Sequence, residues 1–448
     1  MKVLADRFEL TVRAAQGAMG SVYRALDRQT GTTVAVKISN LDSPIDRGRF
    51  VREADTLALL DHPNVVRYVA HGVSEGQHYL VEEWVEGVTL RDRLQAPGAT
   101  AAEAIVVARG LIEAMRAAHR MGIVHRDIKP DNIILEGGVY DRVKLVDFGI
   151  ARATNLANKL TRTGTVIGTP SYMSPEQARG LADIGTETDV WAAGCVLFEM
   201  LTGRKAFAGQ SALAIRAKVL MDTVPGIASL CPEAPEVLGQ LVASMLSHAP
   251  RARPTADEVA ATLQVVTIGD GPRRPVGAKE PATVVMPIRV HEFATREEPE
   301  VRCFVLFRTP AASEVDTSEH AGLLDELAQH HQFEPYHLDD GTAILATRDR
   351  GRVAAIAAAR LALAIHERMP SASLAIVGQR VGDLDASFER GARALERATM
   401  GALFGGVIDN ASNAIAVDDV IVALISDDVA VTMFASGPVL AGSTSTSG

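Results

Sequence analysis

Two polar segments carry residue types that suit the transfer of a phosphoryl group to a hydroxyl. They are HRDIKPDN, residues 125–132, and KLVDFG, residues 144–149. Asp127 can orient a hydroxyl and accept its proton, while Lys129 can neutralise the transferred group. Asn132 and Asp147 offer the hard oxygen ligands that Mg²⁺ prefers. These four side chains therefore predict metal-assisted phosphoryl transfer.

A glycine-containing turn further upstream could bind phosphates. Gly17 and Gly20 lie in AQGAMGSV, where glycines let backbone N–H groups approach a phosphate closely. Alone, this pattern is more typical of an ordinary hairpin turn. The strand VAVK that follows ends in Lys37, and a lone lysine there is otherwise a solvated strand end.

The next predicted helix places a carboxylate beside its apolar stripe. Phe50, Ala54 and Leu57 form the stripe, and Glu53 lies next to it. A carboxylate turned towards a core is costly unless it meets a cation. The sequence therefore predicts an ion pair between Glu53 and Lys37.

The elements that must position these residues form two unequal lobes. Short strands separated by turn residues dominate residues 7–83, and helical periodicity dominates residues 84–265. We expect one domain over residues 1–266, with a small β-rich lobe and a larger helical lobe.

The order of the motifs resembles that of the protein kinase superfamily. Their amino-acid sequences resemble those of bacterial eukaryotic-like serine/threonine kinases. The series is the glycine-rich turn, VAVK, the helix glutamate, HRDIKPDN, DFG and finally SPE at residues 174–176. The resemblance implies a bilobal α+β kinase fold and ATP with Mg²⁺, or alternatively Mn²⁺, as cofactors. It also implies protein substrates with Ser or Thr hydroxyls and a role in signal transduction.

The resemblance also implies a role for each matching residue. Asp127 would be the catalytic base, with Lys129 beside it, and Lys37 would hold the phosphates and pair with Glu53. Asn132 and Asp147 would hold the metal ions. The nucleotide would contact Gly17, Gly20, Val22, Ala35, Lys37, Ile134 and the backbone of Glu83 and Val85.

Other matching residues would support the fold around the site. Glu176 would pair with Arg253, and Asp189 would brace the catalytic loop. A stack joining the two lobes would contain Leu57, Tyr68, His125 and Phe148.

Two positions depart from the kinase pattern. Ala15 stands where the first glycine of the phosphate-binding turn is usual, which is a mild change. Glu82 stands behind the adenine pocket, where an apolar residue or Thr is usual. A carboxylate there must find a partner or stay protonated, and the sequence names no partner.

A threonine-rich stretch between DFG and SPE predicts regulation. Thr161, Thr163 and Thr165 are candidate autophosphorylation sites, the last less favoured. Arg126 is the cation that a phosphate on this stretch could engage. The alternative is an unmodified loop.

A second compact region follows the kinase-like one. We expect a flexible linker over residues 267–299, a domain over residues 300–435 and a disordered tail over residues 436–448. The order β-α-β-β-α-β predicts a ferredoxin-like core. The order of the elements and parts of the amino-acid sequence resemble those of the class III nucleotide-cyclase homology domain.

The cyclase-like site is degenerate. Asp340 matches one metal-binding aspartate, whereas the other is replaced near Thr309. Glu389 stands at the usual Asn, although Arg393 is retained, and the base-recognising lysine is absent near Tyr336. We therefore expect a regulatory module that binds a partner or forms a homodimer.

Composition excludes several classes of function. The 448 residues carry 45 Lys and Arg against 55 Asp and Glu, a net charge of −10. This acidic balance disfavours binding to nucleic acid or to anionic membranes. Three widely separated cysteines, no signal peptide and no apolar span predict a cytoplasmic protein.

Two alternatives to an active kinase stay open. One is a pseudokinase scaffold that binds nucleotide without transfer. The presence of all five residues of the kinase pattern disfavours it: Lys37, Glu53, Asp127, Asn132 and Asp147. The other is a nucleotide cyclase, which the missing carboxylate disfavours.

Overall fold

The computed structural model describes most of the kinase-like region and parts of the region after it. The described residues are 2–17, 20–39, 44–148, 170–181, 184–209, 211–269, 271–276, 301–308, 317–338, 342–347, 349–369, 372–380, 415–417, 429–434 and 437–443. The candidate phosphorylation sites Thr161, Thr163 and Thr165 lie outside these ranges, as do Thr309, Asp340, Glu389 and Arg393.

The first lobe is a six-stranded antiparallel sheet with the order β1-β2-β3-β4-β6-β5. Its strands are β1 (Val3–Leu4), β2 (Phe8–Gly17), β3 (Gly20–Asp27), β4 (Thr33–Ser39), β5 (Tyr68–Ser74) and β6 (Gln77–Glu83). Side chains alternate between the faces, so Val34 and Val36 join a small apolar core on one face. Lys37 consequently lies on the opposite face.

Helix α1 (Pro44–Leu57) connects β4 to β5. The predicted apolar stripe is confirmed, since Phe50, Ala54 and Leu57 are all buried. They belong to the large hydrophobic cluster that also contains the core of the second lobe. The helix therefore joins the two lobes through apolar packing.

The second lobe is mainly helical, as the sequence predicts. Its described residues form the helices α2 (Leu90–Gln95), α3 (Ala101–Arg120), α4 (Pro175–Ala178), α5 (Glu187–Thr202), α6 (Ala212–Met221), α7 (Ile227–Leu230), α8 (Glu236–Met245) and α9 (Ala256–Val265). Helix α3 begins with a capping box formed by Thr100 and Glu103. Helix α5 is buried over nearly its whole length and carries Trp191 in the core.

A small three-stranded sheet lies at the junction between the lobes. It has the order β7-β8-β9, with strands β7 (Gly87–Thr89), β8 (Ile133–Glu136) and β9 (Val143–Leu145). Strands β8 and β9 pair as an antiparallel hairpin. Because HRDIKPDN ends where β8 begins and DFG follows β9, this hairpin brings the two polar segments together.

The chain beyond α9 stays attached to the second lobe, which corrects the expectation of a flexible linker at this point. Within residues 271–276, the Arg274 N–H donates to Ala99 O at 2.9 Å. Arg273 forms two hydrogen bonds to the Glu103 carboxylate, at 2.7 and 2.8 Å. The kinase-like domain therefore extends about ten residues beyond its predicted end at residue 266.

The C-terminal region contains a seven-stranded sheet with the order β11-β12-β10-β13-β14-β16-β15. Its elements are β10 (Val301–Arg308), α10 (Thr317–His330), β11 (Phe333–His337), β12 (Thr342–Thr347), α11 (Gly351–Arg368), β13 (Ser373–Arg380), β14 (Ile415–Val417), β15 (Val429–Phe434) and β16 (Gly437–Ser443). Strand β16 pairs with both β14 and β15. The expectation of a disordered tail from residue 436 is therefore wrong for residues 437–443.

Both faces of this sheet are apolar. Cys303, Val305 and Phe307 point towards a cluster that includes residues of α10 and α11. The alternate residues of β10, Phe304 and Leu306, are buried within the same cluster as the core of the helical lobe. One face thus packs on the sheet's own helices, and the other belongs to the core shared with the kinase-like domain.

Among the described residues, no helix combines the length and the apolar character needed to cross a bilayer.

Candidate active site

The candidate base is held by two neighbours from its own loop. Lys129 Nζ lies 3.0 Å from Asp127 Oδ2, and Asn132 Nδ2 donates to the same oxygen at 3.0 Å. Asn132 Nδ2 also donates to the backbone oxygen of Asp127 at 2.8 Å. The carboxylate that could accept a hydroxyl proton is therefore fixed beside the cation that could neutralise a phosphoryl group.

A buried aspartate on α5 orders the backbone of this loop. Asp189 accepts hydrogen bonds from the N–H groups of His125 and Arg126, both at 2.8 Å. Arg126 has φ of 64°, a left-handed conformation that side chains disfavour. The two bonds from Asp189 support this strained turn, in agreement with the predicted bracing role.

His125 connects the loop to the DFG segment. Burial lowers the pKa of His125, so the ring is neutral near pH 7. Its Nε2 lies 2.9 Å from Val146 O, and its Nδ1 accepts from the Asp127 N–H at 3.2 Å. These partners require the proton on Nε2. The ring also packs on Phe148 at 4.7 Å between centroids, a contact within the predicted stack.

Asn132 and Asp147 fit a magnesium ion. Because Asn132 commits its NH₂ group to Asp127, its side chain has the amide oxygen to offer a cation. Asp147 has a left-handed φ of 61°, and its side chain is 47% exposed. Mg²⁺ is commonly bound by one or two protein oxygens together with substrate phosphates. Among the described residues no cluster of three His, Cys, Asp or Glu side chains could hold a metal.

Lys37 contacts carboxylates other than the one predicted. Its Nζ forms ion pairs with Glu82 on β6 and, at 2.5 Å, with Asp147. In the described part of the chain, no ion pair joins Lys37 to Glu53. The predicted Lys37–Glu53 pair is therefore wrong for this structure, and the partner that the sequence could not name for Glu82 is Lys37.

Lys37, Glu82 and Asp147 shift one another's pKa values. Burial raises the pKa of Glu82 above its ordinary value even though Lys37 lies beside it. The Lys37 ammonium lowers the pKa of Asp147. Although burial opposes a charged ammonium, Asp147 and Glu82 together raise the pKa of Lys37, which therefore stays charged.

The predicted adenine-contacting residues lie on the first sheet, on β8 and just after β6. We call the face of the first sheet that carries Lys37 its cleft face, because Lys37 reaches Asp147 from it. Val22 is the cross-strand partner of Lys37, and Ala35 is that of Glu82, so all four lie on the cleft face of the sheet. Val22 and Ala35 are partly exposed, as are Ile134 on β8 and Val85 after β6. The backbone N–H of Glu83 is already bonded to Arg67 O at 2.9 Å.

The predicted pair below the cleft is present. Arg253 donates to both carboxylate oxygens of Glu176, at 2.6 and 2.8 Å, in a buried bidentate contact. Although burial works against the charge, these bonds hold the pKa of Glu176 below its ordinary value. The pair ties SPE to the segment that precedes α9.

The sequence did not reveal a second buried polar cluster. Glu199 on α5 accepts from the Tyr172 hydroxyl at 2.5 Å and from Arg91 Nη1 on α2 at 2.9 Å. Arg91 also contacts Tyr172 and lies 3.4 Å from Asp131 in the catalytic loop. The one signal available was a glutamate within the apolar helix α5, which must find a partner when buried.

Comparison with known proteins agrees with this geometry. The family model of the protein kinase domain matches residues 9–263, more than half of the chain. The "Probable serine/threonine-protein kinase PknB" of Lactococcus lactis is 40% identical over 247 residues, which are 54% of this chain and 39% of that protein.

Two further relatives give the same result. "Serine/threonine-protein kinase PknB" of Mycolicibacterium smegmatis is 38% identical over 61% of this chain and 45% of its own length. "Serine/threonine-protein kinase PrkC" of Bacillus subtilis is 36% identical over 60% of this chain and 42% of its own. The chain spans less than half the length of these curated relatives. By the family match over residues 9–263, the chain belongs to the protein kinase domain family.

Proposed function

We propose that this protein is a serine/threonine kinase that transfers the γ-phosphoryl group of ATP to protein hydroxyls. The observation that carries the proposal is the arrangement around Asp127, whose carboxylate is held by Lys129 and Asn132. A scaffold has no chemical need for a base fixed beside a phosphoryl-neutralising lysine. The names of the curated relatives point the same way.

In this mechanism each residue has one task. Lys37 contacts the α- and β-phosphates, and Lys129 neutralises charge on the transferred group. The acceptor hydroxyl gives its proton to Asp127 as its oxygen bonds to phosphorus, and the bond to the β-phosphate oxygen breaks to release ADP. Asn132 and Asp147 would hold Mg²⁺, which when bound would supply positive charge to the phosphates. Asp189 and His125 keep the loop that carries Asp127 in a single geometry.

Incubation with γ-labelled ATP, Mg²⁺ and a Ser- and Thr-rich acceptor protein tests this function. We expect label on Ser or Thr of the acceptor or of the protein itself. Absence of turnover with nucleotide bound would instead support a pseudokinase scaffold. Formation of cyclic nucleotide would support the cyclase alternative. The three functions therefore give three different products.

We further propose that the C-terminal region regulates the kinase domain by docking on it. The guanidinium of Arg179, which directly follows α4, lies 5.6 Å from the centre of the Tyr336 ring on β11. The strand order β11-β12-β10-β13 supports the predicted ferredoxin-like core and its likeness to cyclase homology domains. The sheet face that carries Phe304 and Leu306 packs on the kinase domain. A homodimer formed through that face would compete with this docking.

Activation-loop autophosphorylation is the second part of this regulatory proposal. Thr161 and Thr163 remain the favoured sites, with Thr165 less favoured. Arg126 supports it, because its Nε is buried and has no hydrogen-bond partner within the described residues. A phosphate on the loop would supply that partner.

Deletion of residues 300–448 tests both parts. If docking restrains access to the loop, the shortened protein and the Tyr336→Ala variant should autophosphorylate faster than the full chain. Mass spectrometry should place the phosphates at Thr161 and Thr163 and find none in an Asp127→Asn control. Slower, steeply concentration-dependent autophosphorylation after deletion would overturn docking and favour the homodimer. An active protein with an unphosphorylated loop would refute the phosphorylation sites.

A further inference from the structure

Strand pairing places the carboxylate of Glu82 beside Lys37. Glu82 is the cross-strand partner of Ala35, and Lys37 lies two residues further along β4. Residues in this diagonal relation share one face of the sheet and are within reach of long side chains. The contact is therefore built into adjacent hydrogen-bonded strands and does not depend on the position of α1.

The Glu82 carboxylate is almost completely enclosed. Its side chain is 2% exposed, against 18% for Lys37. One oxygen, Oε2, bonds to Lys37, while Oε1 is buried without a hydrogen-bond partner among the described residues. Since a buried charge is tolerated only when it is compensated, Lys37 is the group that compensates Glu82.

Asp147 is a different kind of partner for Lys37. Its side chain is 47% exposed, and it is one of the two candidate ligands of the metal ion. When metal and nucleotide bind, this carboxylate has another positive group to contact. Glu82 lies on a strand that is paired on both sides, and its side chain is only 2% exposed, so it can keep its contact with the lysine.

From this geometry we propose that Glu82 is the positioning residue for Lys37, the role that the kinase resemblance implies for Glu53. Glu82 holds the ammonium at the cleft face of the sheet, ready to contact the phosphates. The catalytic consequence rests on the proposed kinase function, whereas the pairing itself does not. The apolar residue or Thr that is usual at this position is replaced here by a carboxylate that pairs with the lysine.

A double-mutant cycle on thermal stability tests the pairing without any catalysis. Lys37→Met leaves the Glu82 carboxylate buried without its cation, so we expect the melting temperature to fall by on the order of 5–10 °C. Lys37→Met/Glu82→Met removes both charges and should recover most of that loss. The matched control, Lys37→Met/Glu53→Gln, should recover none of it.

A kinetic measurement tests the positioning role. Glu82→Gln keeps the side-chain volume but removes the charge, and we expect kcat/KM for ATP to fall by up to about 100-fold. The KM for the acceptor protein should not change. Glu82→Asp, which keeps the charge, should recover part of the loss, a result that a space-filling role would not give.

The outcomes separate this inference from the proposed function. A stable Lys37→Met variant, or recovery by Glu53→Gln in place of Glu82→Met, would overturn the pairing. Normal ATP kinetics in Glu82→Gln would overturn the positioning role. A chain without transferase activity that still shows coupling between positions 37 and 82 would refute the kinase proposal alone.

Discussion

Replacement of Asp127 by Asn should lower the rate of phosphoryl transfer by about 10²- to 10⁴-fold, the usual contribution of a positioned base. The amide can still accept hydrogen bonds from Lys129 and Asn132 at 3.0 Å, so the loop should keep its geometry. It cannot take the proton of the acceptor hydroxyl. The measurement is the initial rate of γ-label transfer to an acceptor protein at saturating ATP.

Nucleotide binding distinguishes this loss from a folding defect. The Asp127→Asn variant should bind MgATP and melt as the unmodified protein does, since Lys37, Asn132 and Asp147 are untouched. Transfer at a near-normal rate would contradict the assignment of Asp127 as the base and with it the proposed mechanism.

Among the substitutions proposed here, replacement of Arg253 by Ala should cause the largest loss of unfolding free energy. The guanidinium is fully buried and forms a bidentate contact with Glu176, which would be left as an uncompensated charge. Removal of one partner from a buried pair costs about 3–5 kcal/mol of unfolding free energy. The guanidinium carbon of Arg253 also lies 4.9 Å from the centre of the Trp191 ring, so packing adds to the loss. Chemical denaturation of the two proteins measures the difference.

Two further variants show whether the uncompensated charge is responsible. Arg253→Met/Glu176→Leu removes both charges and should recover most of the lost stability. Glu75→Gln breaks the exposed Lys2–Glu75 pair at 2.7 Å and should leave stability unchanged within error. If Arg253→Ala is no less stable than Glu75→Gln, the pair has no structural role.

The sequence by itself was sufficient for the elements and motifs of the kinase domain. A short apolar run at residues 34–38, bounded by turn residues, predicted a strand, and the structure has β4 at Thr33–Ser39. The apolar stripe around Phe50 predicted α1. The pairing of Glu176 with Arg253 followed from the resemblance to protein kinases and is present. The period of side chains in a strand or helix depends on local backbone geometry alone. The motif residues are those that phosphoryl transfer requires. Elements and motifs can therefore both be predicted from the order of residues along the chain.

Only the tertiary structure decided which charged groups meet. The sequence paired Lys37 with Glu53 because a carboxylate beside an apolar stripe needs a cation, yet the ordering of strands puts β6 beside β4 and brings Glu82 to the lysine. Likewise, the Pro, Gly and charged residues within 267–299 predicted a flexible linker, although Arg273 within it bonds to Glu103, 170 residues earlier in the chain. A cation can reach any carboxylate within a few ångströms, and which one it meets depends on strand order and on helix placement, which no local pattern contains.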